Sequence, residues 1–265
     1  FMIDSGVAEF AWSDRSTLEQ ALEVLSRSQT PLLLHAELEL NLAGEFSDVR
    51  SYQQYLRSRP NQMEDEAVAM AIELCEAYDT PVHIVHLSSA TALPLIAEAR
   101  RRGAKISAET CPHYLCLQAE TIPDGDGLFK CAPPVRGREN NETLWQGLES
   151  GVLDFIVSDH SPCTPKLKRL SEQNLKEAWG GISSLQFTLP LMWTEFFRRG
   201  MSLSTLVTSL SEKPARLVGW HKRKGQLAPG YDADLCIFDP SRESVISAGE
   251  IKHRHKQTPY LNRKC

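Results

Sequence analysis

Three short apolar runs in this chain end in residues that bind metals or move protons: LLLHAE runs into His35, HIVHLSS into His86, and FIVSDHS into Asp159. Imidazole nitrogens and a carboxylate oxygen together suit a divalent ion such as zinc, and a neutral histidine needs only an acceptor on its other ring nitrogen to fix the tautomer. Each residue alone is weak evidence, and a lone strand-end histidine reads more readily as an ordinary hydrogen-bonded side chain. Three of them at matching strand ends point to a shared site. His83, expected deeper on the same strand face as His86, is given a structural role. His160 stays open between a partner of Asp159 and a simple loop residue.

Bringing these residues together requires strand ends about 50 and 70 residues apart in sequence to meet. A parallel barrel does this, because the C-terminal ends of its strands converge on one face. The elements fit. STLEQALEVLSRS sets Leu18, Leu22 and Leu25 on one helical face, with Ser16 and Glu19 spaced as a capping box. A polar, loop-like insertion is expected from Glu37 to about Arg59, then a helix through Glu66 to Cys75. ATALPLIAEARRRG predicts a helix closed by Gly103, KISAETCPH a strand, and ENNETLWQGLES a helix ahead of VLDFIVSDH. A Gly-Gly loop and apolar residues from Leu185 to Phe197 follow. Such alternation predicts an α/β fold, a parallel sheet covered by helices. No GxGxxG or GxxxxGK[ST] follows a strand, which favours a barrel over a doubly wound nucleotide-binding sheet.

With 42% apolar and 24% charged residues among 265, the chain can bury a large core. A net charge of −5 and the lack of a Lys/Arg run alternating with aromatics argue against nucleic acid as a partner. The apolar runs fall far short of the roughly 20 residues needed to span a bilayer. Seven cysteines without a CxxC pair predict reduced thiols and a reducing intracellular compartment. FMIDSG opens with an apolar residue ahead of the first Met and no charged n-region, and RKC stops without a turn signal, so both ends look cut and a fragment is expected.

PLLLHAE, VHIVHLSSA, AETCPHYL, KCAPPVR, SDHSPC, AWGGISSLQ, SEKPARLVG and KGQLAPGYDADLCIFDP together resemble the cyclic-amidohydrolase branch of the amidohydrolase superfamily, and within it the allantoinases. The resemblance implies a partial (β/α)8 TIM-type barrel over residues 1–220 and the start of a small C-terminal β-sandwich over 221–265. It implies two divalent metals, usually zinc, with His35 and His86 on one and Asp159 on the other, where it also serves as the proton-transfer base. Substrate contacts are implied at Cys131, Ser161, Gly180 and Gly181, although the two glycines also read as a plain tight turn. The implied reaction is the opening of allantoin to allantoate by a homo-oligomer, with neither nucleic acid nor membrane as partner.

The family's HxH pair and its bridging carboxylated lysine have no match here, so the first half of the barrel is expected to be absent and the chain alone inactive. Cys163 stands where dihydroorotases typically carry a histidine that helps bind the substrate carboxylate, which favours a neutral hydantoin ring. Dihydroorotase, hydantoinase or dihydropyrimidinase, and a non-catalytic dihydropyrimidinase-like assembly protein remain alternatives. The last kind typically loses metal ligands, whereas His35, His86 and Asp159 are all in place.

Overall fold

The computed structural model describes residues 1–6, 9–40 and 46–265. Four strands, β1 (Leu32–Leu34), β2 (Val82–Ile84), β3 (Ile106–Thr110) and β4 (Phe155–Ile156), pair in parallel in the spatial order β1-β2-β3-β4. A doubly wound sheet reverses its strand order at a switch point, whereas a barrel adds each new strand on the same side. Here the order never reverses, and a parallel bridge between His160 and Ile182 carries the pairing one step past β4.

Helices fill the crossovers. Helix α1 (Arg15–Ser28) precedes β1; α2 (Tyr52–Ser58) and α3 (Asn61–Tyr78) link β1 to β2; α4 (Leu93–Arg101) links β2 to β3; α5 (Pro112–Cys116) and α6 (Arg138–Glu149) link β3 to β4; α7 (Thr188–Arg198) follows. One face of the sheet, with Leu34, Ile84 and Ala108 at 2% exposure or less, belongs to the hydrophobic core. On the other face Leu33, His83 and Ser107 lie in register, and Glu109 sits opposite Phe155. Side chains alternate along a strand, and His83 stands three residues before His86, so the expectation of one shared face does not hold. The structural role stands: His83 is fully buried, bonds Ser107 Oγ at 2.7 Å, lies 3.1 Å from Glu109 and stacks on Phe155.

Several details depart from the sequence expectations. Helix α1 begins two residues earlier than a Ser16 cap would set it, which puts Ser16 inside the first turn, and Asp14 is the cap, accepting from Thr17 N at 2.8 Å. Glu19 pairs with Arg15 instead of closing a capping box. The insertion is not all loop, because Tyr52 and Tyr55 bury one face of α2 behind a Ser51 cap; its residues 41–45 lie outside the described residues. Gly103 does close α4, at φ +94°, where a side chain would be strained.

Among the described residues of 221–265, strand pairing is confined to one antiparallel bridge, Val245 with Lys264. Leu235 and Ile237, in the stretch expected to begin a β-sandwich, are 63% and 95% exposed; a strand with no neighbour leaves its backbone groups unpaired. Ile246, Ile251 and Tyr260 by contrast return to the main core. No helix among the described residues is long and apolar enough to cross a membrane.

Candidate metal and catalytic centre

His35 follows directly on β1 and is 8% exposed. Its Nδ1 lies 3.1 Å from His86 Nε2, and its Nε2 lies 3.2 Å from Glu37 Oε2. Glu37 is fully buried and clamped by Arg59, whose Nε donates to Oε1 at 2.7 Å while Nη2 donates to Oε2. Burial alone would raise the Glu37 carboxyl, but His35 and Arg59 hold it down at about 2. Burial also lowers His35 to about 4, against the pull of Glu37, so its imidazole is neutral at physiological pH. With the Nε2 proton engaged by Glu37, the Nδ1 lone pair faces His86. Two nitrogens held at about 2.0–2.1 Å by a tetrahedral ion would stand roughly 3.4 Å apart, close to the separation found. His86 Nδ1 is buried without a hydrogen-bond partner among the described residues. The residues present therefore fit a divalent metal.

The turn after His86 is fixed separately. Ser88 and Ser89 both donate their backbone N–H to Glu64 Oε2, at 2.9 and 3.0 Å, and Arg136 holds the other carboxylate oxygen at 2.6 Å. An outer carboxylate of the Glu37 kind typically controls metal affinity by 10–100-fold. Glu37→Gln in the whole protein keeps the shape and removes the charge, so metal affinity should fall by about that factor in a chelator-competition titration. An unchanged affinity would remove Glu37 from the role.

Asp159 lies past β4 with φ +44°, and His86 likewise leaves its strand at φ +41°. For a residue with a side chain the left-handed region costs about 1–2 kcal/mol, and such conformations concentrate at functional sites. His113 Nε2 lies 3.3 Å from the Asp159 carbonyl and 4.0 Å from Oδ2. At His113 Nδ1 the partner is Tyr260 Oη, at 2.7 Å. Burial lowers His113 to about 4, so the ring is neutral. The arrangement that satisfies both ends has the tyrosine donating to Nδ1 and the Nε2 proton donating to the carbonyl.

Among the described residues, the group of at least three His, Cys, Asp or Glu whose ligand atoms lie within 4.8 Å of one another is Cys111, His113 and Asp159. The trio named from the sequence thus divides: His35 meets His86, and Asp159 meets Cys111 and His113. Burial pushes the Cys111 thiol well above its usual range, which keeps it protonated and a poor ligand. With both His113 nitrogens also committed, this second cluster reads as packing behind Asp159.

The residues named for substrate contact converge. A Cβ on Gly180 would stand 3.2 Å from Ala132 Cβ and 3.7 Å from the Cys131 carbonyl carbon, and one on Gly181 would stand 2.4 Å from Ser161 Oγ. Gly181 is therefore needed for the close approach between segments, and Gly180 sits in a tight contact beside it. Cys131 itself is 1% exposed, its thiol is pushed up to about 12 by burial, and its carbonyl accepts from Tyr55 Oη at 2.6 Å. His160 is a loop organiser, its Nδ1 accepting from Ser184 N at 3.0 Å and Leu185 N at 3.2 Å. Beside this wall lies a hollow of about 600 Å³ lined by Pro162, Cys163, Trp179, His253, Arg254 and His255, among others. Glu37, Arg59, His113 and Tyr260 were missed from the sequence. The HxE spacing of His35 and Glu37 was a usable signal; Arg59 and Tyr260 have none nearby.

Residues 8–261 match the amidohydrolase family. The chain is 42% identical to allantoinase of Saccharomyces cerevisiae over 98% of its own length and 57% of that protein, and 40% identical to allantoinase of Arabidopsis thaliana over 100% and 54%. Its fold superposes on the L-hydantoinase (dihydropyrimidinase) of Arthrobacter aurescens with a TM-score of 0.90 at 28% identity, covering 99% of this chain and 60% of that one. Against the dihydropyrimidinase of Brevibacillus agri the TM-score is 0.85 at 29% identity, covering 97% and 58%. The chain spans a little over half the length of the curated relatives it matches.

Proposed function

Because the chain belongs to the amidohydrolase family, we propose that the whole protein hydrolyses a cyclic amide, opening allantoin to allantoate. The observation that carries this reading is the 3.1 Å meeting of two strand-end imidazoles, one backed by a buried carboxylate, in a chain about 40% identical to proteins named allantoinase. The superfamily is generally metal-dependent. Zinc is the proposed ion, His35 and His86 would hold one, and Asp159 a second. Such ions lower the pKa of water from 15.7 to about 7 and polarise a carbonyl, which the unreactive amide of a hydantoin ring requires. Asp159 then takes the proton of the attacking water and returns it to the departing ring nitrogen. Ser161, Gly180, Gly181 and the backbone at Cys131 would line the ring. A division near residue 220 into barrel and β-sandwich parts, and a homo-oligomeric assembly, belong to the same proposal.

Cys163 argues for a neutral ring, because a thiol cannot give the charge-assisted hydrogen bond that an anionic substrate needs. A second reading, dihydroorotate as substrate, is favoured by Arg254 and His255 in the same hollow. Comparing kcat/KM of the whole protein for the two compounds decides between them. Allantoin is expected to be turned over faster, and faster turnover of dihydroorotate would reverse the assignment. Activity on neither would favour a non-catalytic role.

A further inference from the structure

Lys168 is 6% exposed in a segment that the sequence writes as the polar run KLKR. Its Nζ donates to Lys130 O at 3.1 Å, to Trp179 O at 3.0 Å and to Gly181 O. An ammonium has three protons, and three carbonyls surround this one. The backbone of the lysine is held as well. Trp179 N donates to the neighbouring Leu167 O at 2.7 Å, and Gly127 approaches so closely that a Cβ there would lie 2.1 Å from Lys168 O. Lys130 O and Cys131 belong to one strip of the proposed substrate wall, and Trp179 O and Gly181 O to the other.

We propose that Lys168 is a positioning residue that fixes these two strips relative to each other, and so sets the shape of the wall against which the substrate ring lies. The three carbonyls converge on one point. Without a cation between them their dipoles repel and each is left buried and unsatisfied. Gly180 and Gly181 let the strips reach contact distance, and Lys168 keeps them there. Burial lowers its amine to about 8, while carbonyls on all sides favour the charged form. The inference rests on the reading that this wall faces the substrate.

The test uses the whole protein, metal-loaded, as wild type, Lys168→Met and Lys168→Arg, with two readouts. Lys168→Met should raise KM for allantoin by about tenfold or more at unchanged metal content, and Lys168→Arg should recover part of the loss. Hydrogen exchange should quicken in peptides covering residues 130–133 and 179–182 together, and stay unchanged over 83–88. A KM within about twofold of wild type, with both peptides exchanging as before, would overturn the assignment. If wild type does not open allantoin, the functional reading fails while hydrogen exchange still judges the lysine. If Lys168→Met is recovered unfolded, Lys168→Gln, which keeps two N–H donors, takes its place in the same exchange comparison.

Discussion

Asp159→Asn in the whole protein should lower kcat for allantoin by about 10²- to 10⁴-fold, the range for losing a general base, while much of the bound metal stays. Asparagine keeps the shape and one oxygen ligand and removes the basic site. The structure makes the substitution a clean one, because His113 bonds the main-chain carbonyl of residue 159 at 3.3 Å, and that contact is untouched by a change of side chain. The strained backbone at φ +44° is likewise held from behind, and asparagine tolerates that region well. Asp154, at the start of the same strand, is an unsuitable control: it accepts from Arg100 at 2.5 Å and from Ala108 N at 2.9 Å, so neutralising it would loosen the sheet. The exposed Glu243, changed to Gln, serves instead. Near-full turnover of Asp159→Asn with metal bound would make the aspartate a ligand only.

His35→Ala should remove metal and activity together. The loss of affinity should exceed the 10–100-fold typical of outer partners such as Glu37, since a direct ligand goes, and circular dichroism should remain close to that of wild type. His35 sits at the end of β1 with its ring against His86 and Phe1, at centroid distances of 4.8 and 5.0 Å, outside the apolar layer that holds the sheet to its helices. Elemental analysis of the purified variant is the measurement. Unchanged metal content would show that the two imidazoles face each other for another reason.

Strand ends were the legible part of this molecule. Short apolar runs of three or so residues flanked by helical periods fix where β1, β2, β3 and β4 lie, and the pairing of His35 with His86 follows once the strands are neighbours. What supports those residues was not legible. Lys168 lies in a basic run that reads as solvated surface, and only the folding of three carbonyls around it makes it internal. Arg59 and Glu37 are 22 residues apart and Tyr260 and His113 are 147 apart, so no local pattern joins them. The capping box failed for a local reason: Asp14, whose carboxylate accepts from Thr17 N, caps the helix two residues ahead of Ser16. Asp159 was found, but its nearest companions, Cys111 and His113, sit inside AETCPHYL, a motif noted without a role for its histidine.

The bond between Tyr260 and His113 also sets a timetable. Synthesis proceeds at about 5–20 residues per second, so the 147-residue separation means that the imidazole waits roughly 7–30 seconds for its partner to be made. During that interval β3 and α5 can form and pack, because their contacts are nearby in the chain, yet the seat behind Asp159 stays unfinished. A nascent chain interrupted before Tyr260 would bury a histidine nitrogen with nothing opposite it, at a cost of about 1–3 kcal/mol. The segment around Tyr260 therefore closes the seat behind Asp159 from a distance, after the strands that carry it have been made.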